Sequence, residues 1–197
     1  MAAPPGSGKT VLLRSWIGQA GLADCAAWVP TERDERDPQG FWLSVLGALR
    51  RTTRGSQLVQ PMTAAPELDG WAIVERLLAD LAPLRDRLWL VIDDVDQLDP
   101  EALGQLELLV MRAPPLLRFV LAARHEVRLG LHRLRLEGQL AEIRGADLRF
   151  SLGEARELFV AAGVELPEPE LVMLLERTEG WAAGLRLAAL SLSLIHI

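Results

Sequence analysis

The sequence is poor in the residues that build covalent and metal-bound frameworks. It holds one cysteine, Cys25, and three histidines in 197 residues, and it has no tyrosine and no asparagine. A single cysteine excludes an internal disulfide and a cysteine-based metal cluster. The histidines, at 125, 132 and 196, have no metal-ligand spacing to Cys25 or to one another. Positive charge is not in excess either: the formal net charge is −6, which argues against a dedicated DNA-binding module.

The sequence also shows no targeting segment and no membrane-spanning segment. The most apolar stretch, residues 181–197, contains one formal charge, Arg186, and is shorter than the roughly 20 apolar residues of a membrane span. We expect a buried or half-buried terminal helix there. Residues 1–5 have neither the basic nor the apolar region of a signal peptide. We therefore expect a cytoplasmic protein without a membrane partner.

The scarcity of lysine is the most informative of these shortages. Among the 21 lysines and arginines, Lys9 is the one lysine. It stands in the segment Ala3-Pro4-Pro5-Gly6-Ser7-Gly8-Lys9-Thr10, which fits the phosphate-binding pattern G-x-x-x-x-G-K-[ST] except that Ala3 replaces the first glycine. A chance glycine-rich loop is the alternative. The position of the lone lysine argues against it.

Each residue type in this loop suits the binding of nucleotide phosphates. Gly6 and Gly8 let backbone N–H groups surround an anion, and a helix beginning here directs its positive dipole end to the same point. The ammonium of Lys9 can reach between β- and γ-phosphates, and the hydroxyl of Thr10 can bind Mg²⁺. The residues predicted to bind ATP or ADP are Pro5, Gly6, Ser7, Gly8, Lys9, Thr10 and Val11.

Short apolar segments alternate with segments of helical periodicity over the first three quarters of the chain. The predicted strands are 26–30, 87–94, 117–123 and 140–144. The predicted helices are 10–20, 41–51, 71–84 and 101–111, with loops at 31–38 and 52–66. This alternation is typical of α/β proteins with a parallel sheet covered by helices on both faces.

From about residue 146 onward the pattern is helical only. Ser151 and Glu154 fit a capping box that opens a helix ending at Ala162, and further helices are predicted at 170–177 and 181–192. We therefore predict two units: a nucleotide-binding domain, residues 1–146, and a small helical lid, residues 147–197.

Two aspartates end the second predicted strand, and an arginine follows the third. Asp93 is the candidate Mg²⁺ ligand together with Thr10, and Asp94 is the candidate group that orients or deprotonates the attacking water. The guanidinium of Arg124 could contact a γ-phosphate at the carboxyl edge of the sheet. Lys9, Asp94 and Arg124 are thus the candidate catalytic residues.

Structural alternatives stay open for these three side chains. Asp96 and Asp99 follow closely, so the aspartates could form an ordinary acidic turn, and Arg124 could be a surface residue of an arginine-rich chain. The six tryptophans fall mostly within apolar patterns, and we interpret them as core residues.

The order and spacing of these elements resemble the STAND class of P-loop ATPases and, within it, the large ATP-binding LuxR-family regulators of the maltose-regulator type. The resemblance covers roughly residues 2–192. Its segments are Ala27–Val29, Asp37–Trp42, Val91–Asp94, Leu121–Arg124, Gly138–Leu140, Asp147–Ser151 and Glu176–Leu185.

This resemblance implies a P-loop three-layer sandwich that binds ATP with Mg²⁺, hydrolyses it slowly and acts as a switch in transcription regulation. It also implies ATP-dependent self-association and an inducer or regulatory protein bound by downstream domains. DNA contact would belong to a module outside this chain.

The sequence departs from that family at three further places. The family's phosphate loop follows a buried central strand, and only Met1 and Ala2 precede Ala3, so we expect the first strand to be missing. Gly180-Trp181-Ala182 lacks the proline of the family's Gly-x-Pro signature near the adenine, which leaves the adenine contacts open. Residues 193–197 break the helical pattern of their neighbours, and we interpret them as foreign or frame-shifted sequence.

Two other functions fit parts of the sequence. A metabolic P-loop kinase would pass phosphate to a small acceptor, but the paired Asp93 and Asp94 with Arg124 favour attack by water. The other alternative is a nucleotide-binding scaffold without hydrolysis, which we expect only if Lys9→Ala leaves ATP affinity unchanged.

Overall fold

The computed structural model describes residues 1–31, 38–63 and 69–195. Parts of our predictions lie outside the described residues: most of the charged loop at 31–38, positions 64–66 of the loop at 52–66, and the end of the tail at 193–197.

Three parallel strands form the sheet, in the order β1–β2–β3. They are β1 (Ala26–Pro30), β2 (Leu88–Asp93) and β3 (Leu117–Leu121). In the register, Leu90 of β2 lies between Ala27 and Phe119. All three agree with predicted strands, and the near-continuous apolar character of β2 fits a strand buried on both faces.

The backbone at Ala2 extends this arrangement beyond β3. Ala2 forms parallel bridges to Ala123 on one side and to Arg144 on the other. The N–H of Ala2 donates to the carbonyl oxygen of Ile143 at 2.9 Å, and the N–H of Ala123 donates to that of Met1 at 2.9 Å. Ala2 therefore occupies the central position that we expect for the segment before the phosphate loop.

The strand predicted at 140–144 is wrong. Within the described residues, this segment pairs through the single bridge at Arg144. A strand needs a ladder of successive backbone pairs, and here only Ala2 lies alongside it.

Nine helices of the described residues surround the sheet or follow it. Their bounds are α1 (Lys9–Gln19), α2 (Pro38–Arg51), α3 (Gly55–Leu58), α4 (Gly70–Leu81), α5 (Pro100–Arg112), α6 (His132–Leu136), α7 (Leu152–Ala161), α8 (Glu168–Thr178) and α9 (Ala182–Ile195). The short α3 and α6 were not predicted, and the predicted break of the helical pattern at 193 is wrong because α9 continues to Ile195. Side chains cap three of the others: Asp69 and Asp99 accept from the N–H of Ala72 and Ala102 at 2.7 Å, and the Ser151–Glu154 capping box is confirmed.

Helices cover both faces of the sheet. On one face, Leu13 of α1 packs against Val91 and Ala122. On the other, α2, α4 and α5 enclose a large core that includes Leu90 and Ile92. The alternation of adjacent β2 residues between the two cores follows from the two-residue period of a strand. The predicted α/β architecture with a parallel sheet between helical layers is confirmed.

A separate, smaller core joins α7, α8 and α9. Its buried residues are Ala155, Phe159, Val164, Leu171, Leu185 and Ala189. The division of the chain into two domains at residue 146 stays a prediction. No helix in the described ranges has both the length and the apolar character that a membrane span requires.

Candidate functional site

The glycine-rich loop has the backbone shape of an anion cradle. Gly6 (φ 74°) and Gly8 (φ 84°) adopt left-handed conformations, which glycine reaches without a Cβ penalty. Helix α1 begins at Lys9, one residue earlier than predicted. Among the described residues, no protein acceptor faces the N–H groups of Gly6, Gly8, Lys9 and Thr10. Four free donors at one helix N-terminus form a ready anion site.

The ammonium of Lys9 lies inside the loop. Its Nζ donates to the carbonyl oxygens of Ala3 at 2.6 Å and Pro4 at 3.1 Å, and the residue is 6% exposed. Burial lowers the pKa of Lys9, while the negative charges of Asp94, Asp93 and, more weakly, Asp96 oppose that change. A buried cation with two neutral acceptors is electrostatically under-compensated and favours an incoming anion.

The two predicted Mg²⁺ ligands are in contact. The hydroxyl of Thr10 donates to Oδ2 of Asp93 at 2.7 Å, although 83 residues separate them in the chain. Asp93 ends β2 and is 7% exposed, and its Oδ1 accepts from the N–H of Asp94 at 3.1 Å. The α1 N-terminus and the β2 carboxyl end thus present a hydroxyl and a carboxylate at one point.

Asp94 and Arg124 form a two-bonded ion pair. Nε and one terminal nitrogen of Arg124 donate to the two carboxylate oxygens of Asp94 at 3.1 and 2.9 Å. Asp94 has a left-handed backbone, with φ 55°, which is uncommon and strained for a residue other than glycine. The Thr31 hydroxyl, 2.7 Å from the carbonyl oxygens of both Asp93 and Asp94, holds this turn. The structure therefore joins two predicted catalytic groups to each other.

Asp96 has a positioning role that the sequence did not indicate. One carboxylate oxygen accepts from the backbone N–H of Arg124 at 2.8 Å, and its side chain is fully buried. Burial alone would raise its pKa, but hydrogen bonds from the Arg124 backbone and the Gln97 side chain outweigh it, so the pKa lies below its usual value. Asp99 instead caps α5. The acidic turn is thus a set of carboxylates with separate partners.

The start of α9 packs on the outer side of the loop. Nε1 of Trp181 donates to the carbonyl oxygen of Pro5 at 3.0 Å, and the N–H of Ala183 donates to that of Gly6 at 3.0 Å. A Cβ at Gly6 would lie 2.8 Å from atoms of both Trp181 and Ala183. The loop glycine is therefore needed for this approach as well as for its conformation.

The interpretation of all six tryptophans as core residues is wrong for two of them. Trp181 is 43% exposed and Trp71 42% exposed. Trp42 is fully buried as expected. Trp181 could not be recognised from the sequence because its apolar neighbours in α9 share the same pattern, and its polar partner is 176 residues away.

The other predicted loop residues lie at the edge of the site. Ser7 turns back, its hydroxyl donating to the carbonyl oxygen of Pro4 at 2.6 Å. The Val11 side chain is 66% exposed on α1. Within the described residues, no three His, Cys, Asp or Glu side chains gather as a metal-ligand set. Thr10 and Asp93 are two oxygen-bearing side chains, which suits an ion such as Mg²⁺ that takes its other ligands from phosphates and water.

The chain is similar to known proteins in sequence and in fold. The chain is 32% identical over 195 residues to the serine/threonine-protein kinase PknK of Mycobacterium tuberculosis, covering 96% of this chain and 18% of that protein. It is 28% identical over 194 residues to the HTH-type transcriptional regulator MalT of Yersinia enterocolitica, covering 95% of this chain and 21% of that protein. No protein-family model matches the chain.

A solved structure has a similar fold. The crystal structure of Cdc6p from Pyrobaculum aerophilum matches with a TM-score of 0.58 at 18% sequence identity, over 93% of this chain and 52% of that chain.

The chain spans about a fifth of the length of the two relatives. Nearly the whole chain aligns both with part of a kinase and with part of a regulator. The name of neither relative can therefore be transferred to this chain. Together with the phosphate loop, these similarities point to the P-loop ATPase family and support an ATPase-type nucleotide-binding unit.

Proposed function

We propose that this chain binds ATP with Mg²⁺, hydrolyses it slowly, and serves as the nucleotide-dependent switch of a LuxR-type transcription regulator of the STAND class. One observation carries the nucleotide assignment. The Thr10 hydroxyl and the Asp93 carboxylate, 2.7 Å apart, stand beside the N–H groups of Gly6, Gly8, Lys9 and Thr10, which have no acceptor among the described residues. Phosphate oxygens need such donors, and a phosphate-bound divalent ion needs such oxygens.

Binding exchanges internal partners for phosphate oxygens. The N–H groups of Gly6, Gly8, Lys9 and Thr10 donate to β-phosphate oxygens, assisted by the dipole of α1. The Lys9 ammonium leaves the carbonyls of Ala3 and Pro4 and donates between the β- and γ-phosphates. Bound Mg²⁺ would neutralise phosphate charge, and Thr10 with Asp93 would hold it.

Opening of the Asp94–Arg124 pair favours hydrolysis. In the pair, each carboxylate oxygen of Asp94 already accepts one hydrogen bond from Arg124, and the positive charge of the guanidinium makes the carboxylate a weaker base toward a water molecule. A γ-phosphate competes for the guanidinium of Arg124 because phosphate matches its bidentate geometry. Asp94, once released, orients the attacking water or takes its proton. This exchange makes hydrolysis slow and dependent on a triphosphate.

The helices after residue 146 supply the switch. They touch the loop through Trp181 and Ala183, so a change in nucleotide state reaches them directly. We assign residues 1–146 to the nucleotide-binding domain and 147–197 to a helical lid. Self-association in the ATP state, inducer binding and DNA binding complete the proposal, the last two through parts of the regulator outside this chain, in the cytoplasm.

Substitution of the lone lysine tests the assignment. Lys9→Met keeps an unbranched side chain of similar length and removes its ammonium group. Because a hydrogen bond to a charged group contributes about 1.5–3 kcal/mol, we expect ATP affinity to fall about 10- to 100-fold by isothermal titration calorimetry with Mg²⁺.

Arg118→Met is the matched control. It removes one positive charge at the exposed amino end of β3, the edge of the sheet opposite the loop, and should leave ATP affinity unchanged. Equal ATP affinity of Lys9→Met and the wild type would refute the proposed site. ADP release that depends on an added small acceptor would instead indicate a kinase.

A further inference from the structure

We propose that Trp181 is a positioning residue for phosphate binding: its indole N–H fixes the direction in which the loop presents the N–H of Gly6. The inference rests on the proposed nucleotide site. It assigns to the start of α9 a part in forming the anion cradle.

Peptide geometry links the two groups. The peptide between Pro5 and Gly6 is trans, as are all described peptides, so its C=O and N–H point in opposite directions. Because the Pro5 carbonyl oxygen accepts from Nε1 of Trp181 at 3.0 Å, the N–H of Gly6 must point away from α9. That N–H has no acceptor among the described residues, and it is thereby presented to the cradle.

A second bond repeats the arrangement one peptide later. The N–H of Ala183 donates to the carbonyl oxygen of Gly6 at 3.0 Å. Two successive loop carbonyls are thus bound on the α9 side. A loop with these carbonyls free could rotate its peptides and turn carbonyl oxygens toward a phosphate, which would repel it.

Glycines on both sides hold the indole in place. Gly180 has φ 69°, and a Cβ there would lie 2.9 Å from the carbonyl oxygen of Phe150; its own carbonyl oxygen accepts from the Phe150 N–H at 2.9 Å. A Cβ at Gly184 would lie 3.0 Å from the Trp181 ring. The spacing Gly180-Trp181-Ala182-Ala183-Gly184 therefore has a steric reason: it lets the ring lie between its own helix and the loop.

The test compares two half-exposed tryptophans. Trp181→Phe removes the N–H donor and keeps an aromatic ring; Trp71→Phe makes the same change on α4, where the side chain is equally exposed. We expect Trp181→Phe to weaken binding of Mg·ATP about 2- to 10-fold, the range of one lost hydrogen bond, and Trp71→Phe to leave it unchanged. Calorimetric titration measures both.

Inorganic tripolyphosphate separates positioning from contact with the base. If Trp181 acts through the loop, Trp181→Phe weakens binding of tripolyphosphate by the same factor as ATP. A loss confined to ATP would mean that the indole touches adenine or ribose, and would overturn the inference. A lower melting temperature with unchanged affinity would overturn it as well, because that is the result of a packing role alone.

A second pair of variants covers poor folding of Trp181→Phe. Trp181→Gln and Trp181→Met are similar in length, but only glutamine carries an N–H donor that can reach Pro5. Tighter tripolyphosphate binding by the glutamine variant supports the inference, and equal binding contradicts it. If the wild type bound neither ligand, the proposed function would fail; if the wild type and Trp181→Phe bound both equally, this inference alone would fail.

Discussion

The sheet region and the helices α7–α9 contrast in how they are stabilised and in what they give to the site. The sheet region buries whole aromatic and aliphatic side chains, among them Phe41, Trp42 and Leu77 at 0% exposure. The core of α7–α9 has one fully buried aromatic residue, Phe159, with the partly buried Phe150 packed against it, and is otherwise formed mainly by leucines and alanines. Since buried apolar area is the main stabilising contribution, we expect the helices α7–α9 to be the less stable part.

The chemical contributions differ in the same way. The sheet region supplies the side chains that can act on a nucleotide: Lys9, Thr10, Asp93, Asp94 and Arg124. Trp181 and α9 pack against the loop and, in the described part of the chain, hydrogen-bond to it at two backbone carbonyls. Regions of low local stability are the ones that open in regulated proteins. The contrast teaches that the reactive side chains lie on the sheet region, which has the larger core. The position of the phosphate loop also depends on the helices α7–α9, which have the smaller core.

The largest expected effect is on hydrolysis and involves the sheet region alone. Asp94→Asn removes the carboxylate proposed to orient water or take its proton, a role that contributes about 10²- to 10⁴-fold in rate. We expect ATP turnover, followed by phosphate release, to fall by such a factor while ATP still binds. Asp99→Asn is the control, because asparagine also caps helices well. Unchanged turnover in Asp94→Asn would place the water-orienting group elsewhere.

The next prediction compares the two cores by the same truncation. Leu77→Ala and Leu185→Ala each truncate a leucine with 0% exposure. Such a truncation lowers the free energy of unfolding of the core that contains it by about 2–5 kcal/mol. We expect Leu77→Ala to lower the denaturant midpoint of the whole chain. Leu185→Ala should chiefly speed amide hydrogen exchange in α7–α9, with the amides of β1–β3 still protected. If amide hydrogen exchange became faster by the same factor throughout the chain in both variants, the chain would unfold as one cooperative unit. The predicted difference in stability between the two regions would then be wrong.

The smallest effect concerns the buried carboxylate behind Arg124. The pKa of Asp96 lies below its usual 3.8, so its stabilising contribution is complete above that value and is lost as pH falls through the lower folded-state pKa. Asp96→Asn lacks this titration. We expect the wild type to exceed Asp96→Asn in unfolding free energy at pH 6 by about 1 kcal/mol and the difference to shrink toward pH 3, as measured by urea unfolding. A constant difference across this range would contradict it.

The sequence was sufficient for features that depend on local pattern. Periodicity located β1, β2 and β3, the loop pattern located Lys9 and Thr10, and the capping box at Ser151 was found from two residues. It also assigned Asp93 and Thr10 to one Mg²⁺ site, because a P-loop hydroxyl and an acid at the end of a buried strand bind the metal ion together.

Features that depend on distant contacts could not be found in this way. The strand predicted at 140–144 has the right composition, but a strand also needs a neighbour along its length. The bond from Trp181 to Pro5 spans 176 positions. Asp96 could not be distinguished from the other acids of this turn. Its partner is the backbone N–H of Arg124, and a backbone N–H is present in almost every residue type, so the sequence contains no signal for this contact.

The double attachment of the chain to the phosphate loop has a mechanical consequence. Arg144 bridges to Ala2 at the base of the loop, the chain then runs through α7 and α8, and it returns to the loop at Trp181. The intervening helices thus form a ring closed through the loop, so they cannot move away as a rigid body while both contacts persist. Any force that separates them must break either the bridge between Ala2 and Arg144 or the two hydrogen bonds from Trp181 and Ala183 to the loop.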